Sequence, residues 1–146
     1  MKIYITSDHR GFVLKNKLKL HLMEEGYSVV DLGNYVYEGT DDYPDYGKYL
    51  ANRVAKDHNS FGVALCGSGA GMCMVVNRTR GVRGVLAHDI TIAKASRHDD
   101  DANILCFGAD LISFQKAKKI LSLWLSTRFA GSKRFIRRIK KLDSRS

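Results

Sequence analysis

The segment Cys66-Gly67-Ser68-Gly69-Ala70-Gly71 places a thiol, a hydroxyl and three glycines within six residues. A glycine loop lets the backbone come close to a ligand. Where such a loop leads into a helix, its N–H groups point at an anion. The pattern lacks the Gly-Lys-Ser/Thr ending of a Walker loop and does not match GxGxxG after a first strand, so a nucleotide is the weaker reading. An anion site is favoured over a plain tight turn, because three glycines cost chain entropy without adding packing. Amides at a helix start also favour a thiolate, which would make Cys66 usable as a base. The plainer alternative is an inert thiol at a strand end. Cys73 and Cys106 are assigned to the core.

Other candidates stand at a distance along the chain. Asp8-His9 reads as an acid/base pair, an anion contact or a satisfied turn. The run from Asp41 to Tyr46 lacks the spacing and terminal glutamate of an EF-hand, so a calcium loop is rejected. Tyr46 reads as a stacking residue or as an aromatic at a helix start. Arg97-His98-Asp99-Asp100-Asp101 reads as a solvated acidic turn or an Asp-rich metal site, although consecutive helical side chains diverge by about 100°. Arg134 and Arg138 are spaced i,i+4, so on a helix their guanidinium groups share a face. Two such forks suit a phosphate dianion.

These residues need elements to hold them. Residues 2–6 read as a strand, 14–25 as a helix stopped by Gly26, and 27–32 as a second strand. A polar loop spans 33–44, with the single proline, Pro44, in it. A helix follows over 45–58. The apolar run 61–66 reads as a strand buried on both faces. The glycine loop 67–71 leads to a helix over 72–79. Strands over 82–87 and 103–107 enclose a helix over 89–97. A long helix spans 113–127, and a basic helix ends the chain. Strands alternating with helices imply a doubly wound, three-layer α/β/α domain with a five-stranded parallel sheet. In such sheets ligands bind at the carboxyl ends of the strands. Asp8-His9, the glycine loop and His88-Asp89 all follow strands in this way.

The chain has 146 residues, 45% of them apolar and 27% charged, with a formal net charge of +9. That length fits one domain, residues 1–146, and allows roughly two-thirds of the unfolded surface to be buried. The composition excludes a disordered, collagenous or disulfide-scaffold chain. No apolar run approaches the ~20 residues that cross a bilayer, so no membrane partner is expected. The first residues are too polar for a secretory signal. Three cysteines, with no CxxC pair and no zinc spacing, point to a reducing, cytoplasmic setting. Residues 133–146 hold seven basic residues and Asp143, which is +6 of the total charge. No nucleic-acid motif accompanies them, so a nucleic-acid partner is not expected.

Taken together, several motifs carry a resemblance. Ser7-Asp8-His9-Arg10-Gly11, Asp42-Tyr43-Pro44-Asp45-Tyr46, the segment from Leu65 to Met72, Asn77, Gly81-Val82-Arg83, Ser96-Arg97 and Asp101-Ala102-Asn103 occur in one order. It is the order of type B ribose-5-phosphate isomerases and the related galactose-6-phosphate isomerases. The chain resembles that family from Met1 to about Leu142. The resemblance implies aldose–ketose isomerisation of a sugar phosphate, with ribose 5-phosphate and ribulose 5-phosphate as the leading pair, and no metal or cofactor. It implies Cys66 as the base that moves a proton between C2 and C1, and Ser68 as a proton shuttle between the sugar oxygens. Amides from Gly67, Gly69, Ala70 and Gly71 would hold the enediolate. Asp8, His9, Arg134 and Arg138 would contact the substrate or its phosphate, with Arg137 competing for the second arginine position, and Tyr46 would lie beside the sugar. It also implies a homodimer or tetramer whose sites are shared between chains.

One departure stands out. Relatives carry His-Asn where this chain has Asp99-Asp100, and that histidine opens the furanose ring. His98 lies one place early. On a helix that turns its side chain about 100° away, so it does not simply substitute. Asp99 as the base, a histidine (His9, or His98 at a bent helix end) or a substrate that binds already open are the candidate answers, with Asp100 beside the substrate. Two alternatives follow: a hexose 6-phosphate as substrate, or a non-catalytic sugar-phosphate binder.

Overall fold

The computed structural model describes residues 1–144. The basic residue Arg145, counted above, lies outside the described residues. Five strands form one sheet: β1 (Lys2–Ser7), β2 (Ser28–Asp31), β3 (Ser60–Cys66), β4 (Gly84–Leu86) and β5 (Ile104–Gly108). Every pairing is parallel, in the order β2-β1-β3-β5-β4. Six helices accompany them: α1 (Phe12–Glu24), α2 (Tyr43–Lys56), α3 (Ala70–Val76), α4 (Ile90–His98), α5 (Phe114–Ser126) and α6 (Lys133–Asp143). This is the three-layer architecture expected.

Two cores flank the sheet. On one face Ile3, Ile5, Val63, Leu65, Leu105 and Phe107 meet Leu18, Leu22, Ile120 and Trp124. On the other, Tyr4, Ala64, Cys66, Ile104 and Cys106 meet Leu50, Val54, Met72 and Val76. The alternation along β3 follows the two-residue period of a strand. It sends Cys66 to the face covered by α2 and α3.

The chain leaves β1 toward β2 on one side and later resumes at β3 on the other. The order therefore reverses between β1 and β3, and their carboxyl ends border the crevice where ligands bind in such sheets. Ser7 and Leu65 are paired at those ends. Asp8 and Cys66 follow directly.

Several boundaries differ from the sequence expectation. α2 begins at Tyr43 rather than residue 45, because Pro44 falls in its first turn, where a missing N–H costs nothing. α3 begins at Ala70, so its N-terminus reaches into the glycine loop. β4 keeps only three residues. A 3-10 turn over His9–Gly11 intervenes between β1 and α1. Cys73, assigned to the core from sequence, is half-buried, with its Sγ 3.7 Å from the Gly84 carbonyl; Cys106 is buried.

α6 stands largely apart. Phe135 is its buried residue, set edge-on against His98. Asp143 pairs with Arg83 at 3.0 Å. Lys133, Ile136, Arg137, Lys140 and Lys141 line an open basic groove on its outer side.

Candidate functional site

The site is built on two strand ends. Cys66 closes β3 and is 5% exposed. The Gly69 N–H donates to its Sγ at 3.2 Å. Gly69 has φ +79, and a methyl group there would come within 2.5 Å of Leu86 Cδ1 and 2.8 Å of the Gly108 nitrogen. Only glycine permits this turn and this approach. The Ala70 N–H donates to Ser68 Oγ at 3.2 Å. Two amides of the loop are therefore taken by the loop's own thiol and hydroxyl. Among the described residues the Ser68 and Gly71 N–H groups have no such acceptor.

Neighbouring elements wall the loop. Arg10 and Asp110 form an ion pair beside Gly67, where a methyl group would meet Asp110 Oδ2 at 2.8 Å and Arg10 Nε at 3.2 Å. The Asp110 N–H donates to the Gly67 carbonyl at 3.0 Å. On the other side the Tyr43 ring lies on Gly71, 2.7 Å from where a Cβ would stand. The aromatic against the glycine loop is thus Tyr43. Tyr46 packs instead on Gly33, and burial, followed by the nearby Asp41 carboxylate, holds its phenol above the ordinary range.

Asp8 is buried and caps the 3-10 turn, accepting from Arg10 N at 3.0 Å and Gly11 N at 3.2 Å. Burial raises its carboxyl above the usual range, against the pull of the Gly11 amide. His9 follows, with its backbone N–H and Nδ1 both on Asp41 Oδ1, at 3.0 and 2.6 Å. Polar atoms of Asp8, His9 and Asp41 lie within 4.8 Å of one another, as a metal triad would. Both carboxylates are already engaged, one as a cap and one on the imidazole. Asp41, Tyr43 and Arg10 were not selected from sequence as site residues. Asp41 and Tyr43 fall in a polar loop without metal-ligand spacing, and Arg10 is a single basic residue behind Asp8-His9, so residue type and spacing alone give them little signal.

The remaining candidates lie elsewhere in the chain. α4 starts at the carboxyl end of β4, where Asp89 caps it by accepting from Ile92 N at 2.9 Å. It runs back to the opposite edge of the sheet. There Arg97 stacks on Phe61 at the start of β3, five strand residues and about 16 Å from Cys66. His98 Nδ1 meets Asp99 Oδ1 at 2.6 Å, with both side chains about half exposed. Asp100 is exposed, and its carbonyl accepts from Arg83 Nε at 3.1 Å. The His98 carbonyl accepts from Ala130 N at 2.9 Å, which tethers the start of α6 to this edge. Arg134 leans over the Phe135 ring. A single chain therefore forms two groups: Asp8, His9, Cys66, Ser68 and the loop at one edge, and His98, Asp99, Asp100, Arg134 and Arg138 at the other.

A doubly wound α/β domain that sets a thiol, a hydroxyl, free amides and an imidazole at its switch point is equipped to move protons on a small anionic substrate. The chain belongs to the ribose/galactose isomerase family, which it matches over residues 3–142, and is an aldose–ketose isomerase of sugar phosphates. It is 37% identical to a probable ribose-5-phosphate isomerase B of Mycoplasma pneumoniae, over 96% of this chain and 91% of that one. It is 36% identical to the ribose-5-phosphate isomerase B of Escherichia coli, over 90% of this chain and 88% of that one. The crystal structure of the Mycoplasma genitalium ribose-5-phosphate isomerase B with bound ribulose 5-phosphate superposes with a TM-score of 0.93 at 36% identity, covering 97% of this chain and 93% of that one. Among the described residues no helix is long and apolar enough to cross a membrane.

Proposed function

We propose that this protein interconverts ribose 5-phosphate and ribulose 5-phosphate with Cys66 as the base. The Cys66 thiolate takes the proton from C2 of the open aldose, and the C2 electron pair forms the C1=C2 enediolate as O1 gains a proton. The hydroxyl proton then leaves O2, the C2=O bond forms, and the Cys66 thiol returns its proton to C1. Ser68 carries the proton between O2 and O1. The unused amides of Ser68 and Gly71 hold the oxygen that becomes negative, a role worth a few kcal/mol in comparable sites. The observation that carries this reading is the Gly69 N–H on Cys66 Sγ, which sets a positive dipole against the sulfur.

Ring opening falls to His98 and Asp99. The 2.6 Å contact makes Nδ1 the N–H partner of the carboxylate and leaves the Nε2 lone pair to take the proton of the C1 hydroxyl and pass it to the ring oxygen as the C1–O ring bond breaks. This pair and the basic α6 sit at the sheet edge opposite Cys66. The complete site therefore needs two chains, each lending its His98 edge and Arg134 and Arg138 to the other's Cys66, with the arginines on the phosphate. Three free thiols suit work in the cytoplasm.

The test is Cys66→Ala, measured by ribose 5-phosphate turnover and by exchange of the C2 proton in deuterated water. Both are expected to be lost while the circular dichroism spectrum stays unchanged. Retained exchange would remove Cys66 from the reaction. Turnover of a hexose 6-phosphate but not of ribose 5-phosphate by the unaltered protein would move the substrate to the six-carbon class.

A further inference from the structure

His9 owes its orientation to one residue outside the motifs, Asp41. The Asp41 side chain is 5% exposed. Its Oδ1 accepts from both the backbone N–H and Nδ1 of His9, at 3.0 and 2.6 Å. Its Oδ2 accepts from Asn34 Nδ2 at 2.9 Å. Asn34 is itself held from two sides. Its N–H donates to the Ser7 carbonyl at 2.9 Å, and its carbonyl accepts from the buried Lys15 Nζ at 2.7 Å. Lys15 is in turn bound to Asp31 at 2.8 Å. The carboxylate therefore has one available position, fixed through Asn34 from the α1 and β1 side.

We infer that Asp41 is the positioning residue that locks His9 as the Nδ1–H form and aims Nε2 at the substrate. A carboxylate cannot donate, so a 2.6 Å contact requires the proton on Nδ1. Among the described residues His9 Nε2 takes no hydrogen bond. It is the free polar atom of a residue held to one oxygen by both its backbone N–H and its ring Nδ1. The ring is further braced edge-on by Tyr37, 6.2 Å between centroids. The pattern is that of a carboxylate–histidine pair whose outer member fixes tautomer and direction. Its catalytic meaning rests on the proposed isomerase reading, in which His9 contacts the sugar phosphate. The geometry of the pair does not depend on that reading.

The experiment has two arms. In the first, nitrogen-15 NMR of the imidazole reports the tautomer of His9 in the unaltered protein and in Asp41→Asn. The expected result is a single Nδ1–H form that becomes a mixture in the variant. A predominant Nε2–H form in the unaltered protein overturns the inference, and this measurement needs no folded variant and no activity. In the second, KM and kcat for ribose 5-phosphate are measured for Asp41→Asn alone and in a His9→Ala background. The expected result is a rise in KM of about tenfold with a smaller change in kcat, the size of one hydrogen bond accepted by Nε2 from a substrate hydroxyl, and no further rise in the His9→Ala background. An equal rise in both backgrounds overturns the inference, because Asp41 would then act other than through His9. An inactive unaltered protein with His9 locked as Nδ1–H would count against the isomerase reading and leave the positioning role standing.

Discussion

The Gly69 N–H lies 3.2 Å from Cys66 Sγ because residue 69 alone in the loop turns through φ +79. The turn folds the backbone of residue 69 back over residue 66, and beyond it the Gly71 amide is left without an acceptor in the loop. The amide bond on the Cys66 sulfur is thus a consequence of one torsion.

Gly69→Ala should therefore damage both stability and catalysis. A left-handed alanine costs about 1–2 kcal/mol, and forcing a methyl group to within 2.5 Å of Leu86 Cδ1 adds about 1–3 kcal/mol of overpacking. The expected fall in Tm is about 5–15 °C. A shifted residue 69 also takes its N–H off Cys66, so kcat should fall further than the loss of folded protein explains. Calorimetry with active-fraction-corrected kinetics checks both.

Cys73 should be the thiol with an early alkylation midpoint. A hydrogen bond with Cys106 lowers it, against its partial burial, and the Leu86 amide and Asn77 lower it further, to about 7. Cys106 is pushed up by the same contact and by full burial. A lowered thiol is half ionised near neutrality, so its alkylation rate should climb with pH below 7 and level off above it. An ordinary thiol climbs to about 8.5. Peptide mapping after brief iodoacetamide pulses across pH 6–9 gives the midpoint for Cys73 and should show Cys106 protected throughout.

The glycine loop was legible because its neighbours are simple. An apolar run ends at Cys66, three alternate glycines follow, and few other structures accommodate that. The sheet was legible for the same reason, since β3 and β5 are buried runs bounded by turn residues. Asp41, Asn34 and Tyr43 were not, because their roles come from tertiary placement: a loop between β2 and α2 folds across the ends of β1 and β3. Pro44 read as loop although a first helical turn tolerates it. The separation of His98 from Cys66 follows from helix direction. α4 leaves the carboxyl edge and must deliver its own C-terminus to the other one, which a list of motifs in order does not convey.

Asp31 should make stability sensitive to acid. Burial pushes its carboxyl up, but hydrogen bonds from Lys15, Lys19 and the Gly33 amide outweigh this and hold it below the usual range. A carboxyl depressed in the fold stabilises at pH values above its unfolded value near 4. That contribution disappears as pH falls through the folded value. Asp31→Asn would leave Lys15, with a side chain 0% exposed, without its counter-charge, at a cost of about 3–5 kcal/mol. Urea midpoints of the two proteins should differ widely at pH 7 and converge below pH 4.

The proposed sharing of the site between two chains makes a sharper demand. Cys66→Ala removes the proposed base from one edge of the sheet, and His98→Ala/Asp99→Ala removes the proposed ring-opening pair from the other. Each variant alone should turn over no ribose 5-phosphate. In a two-fold assembly each site takes one edge from each chain. A mixed pair of the two variants then contains one site with both defects and one with none. Co-refolding equal amounts gives mixed pairs in half the population, each with one intact site of two, so about a quarter of the unaltered activity should return. The recovery should follow the amount of mixed dimer resolved by differential tagging. If the two groups acted within one chain, mixed dimers would form and activity would stay at zero.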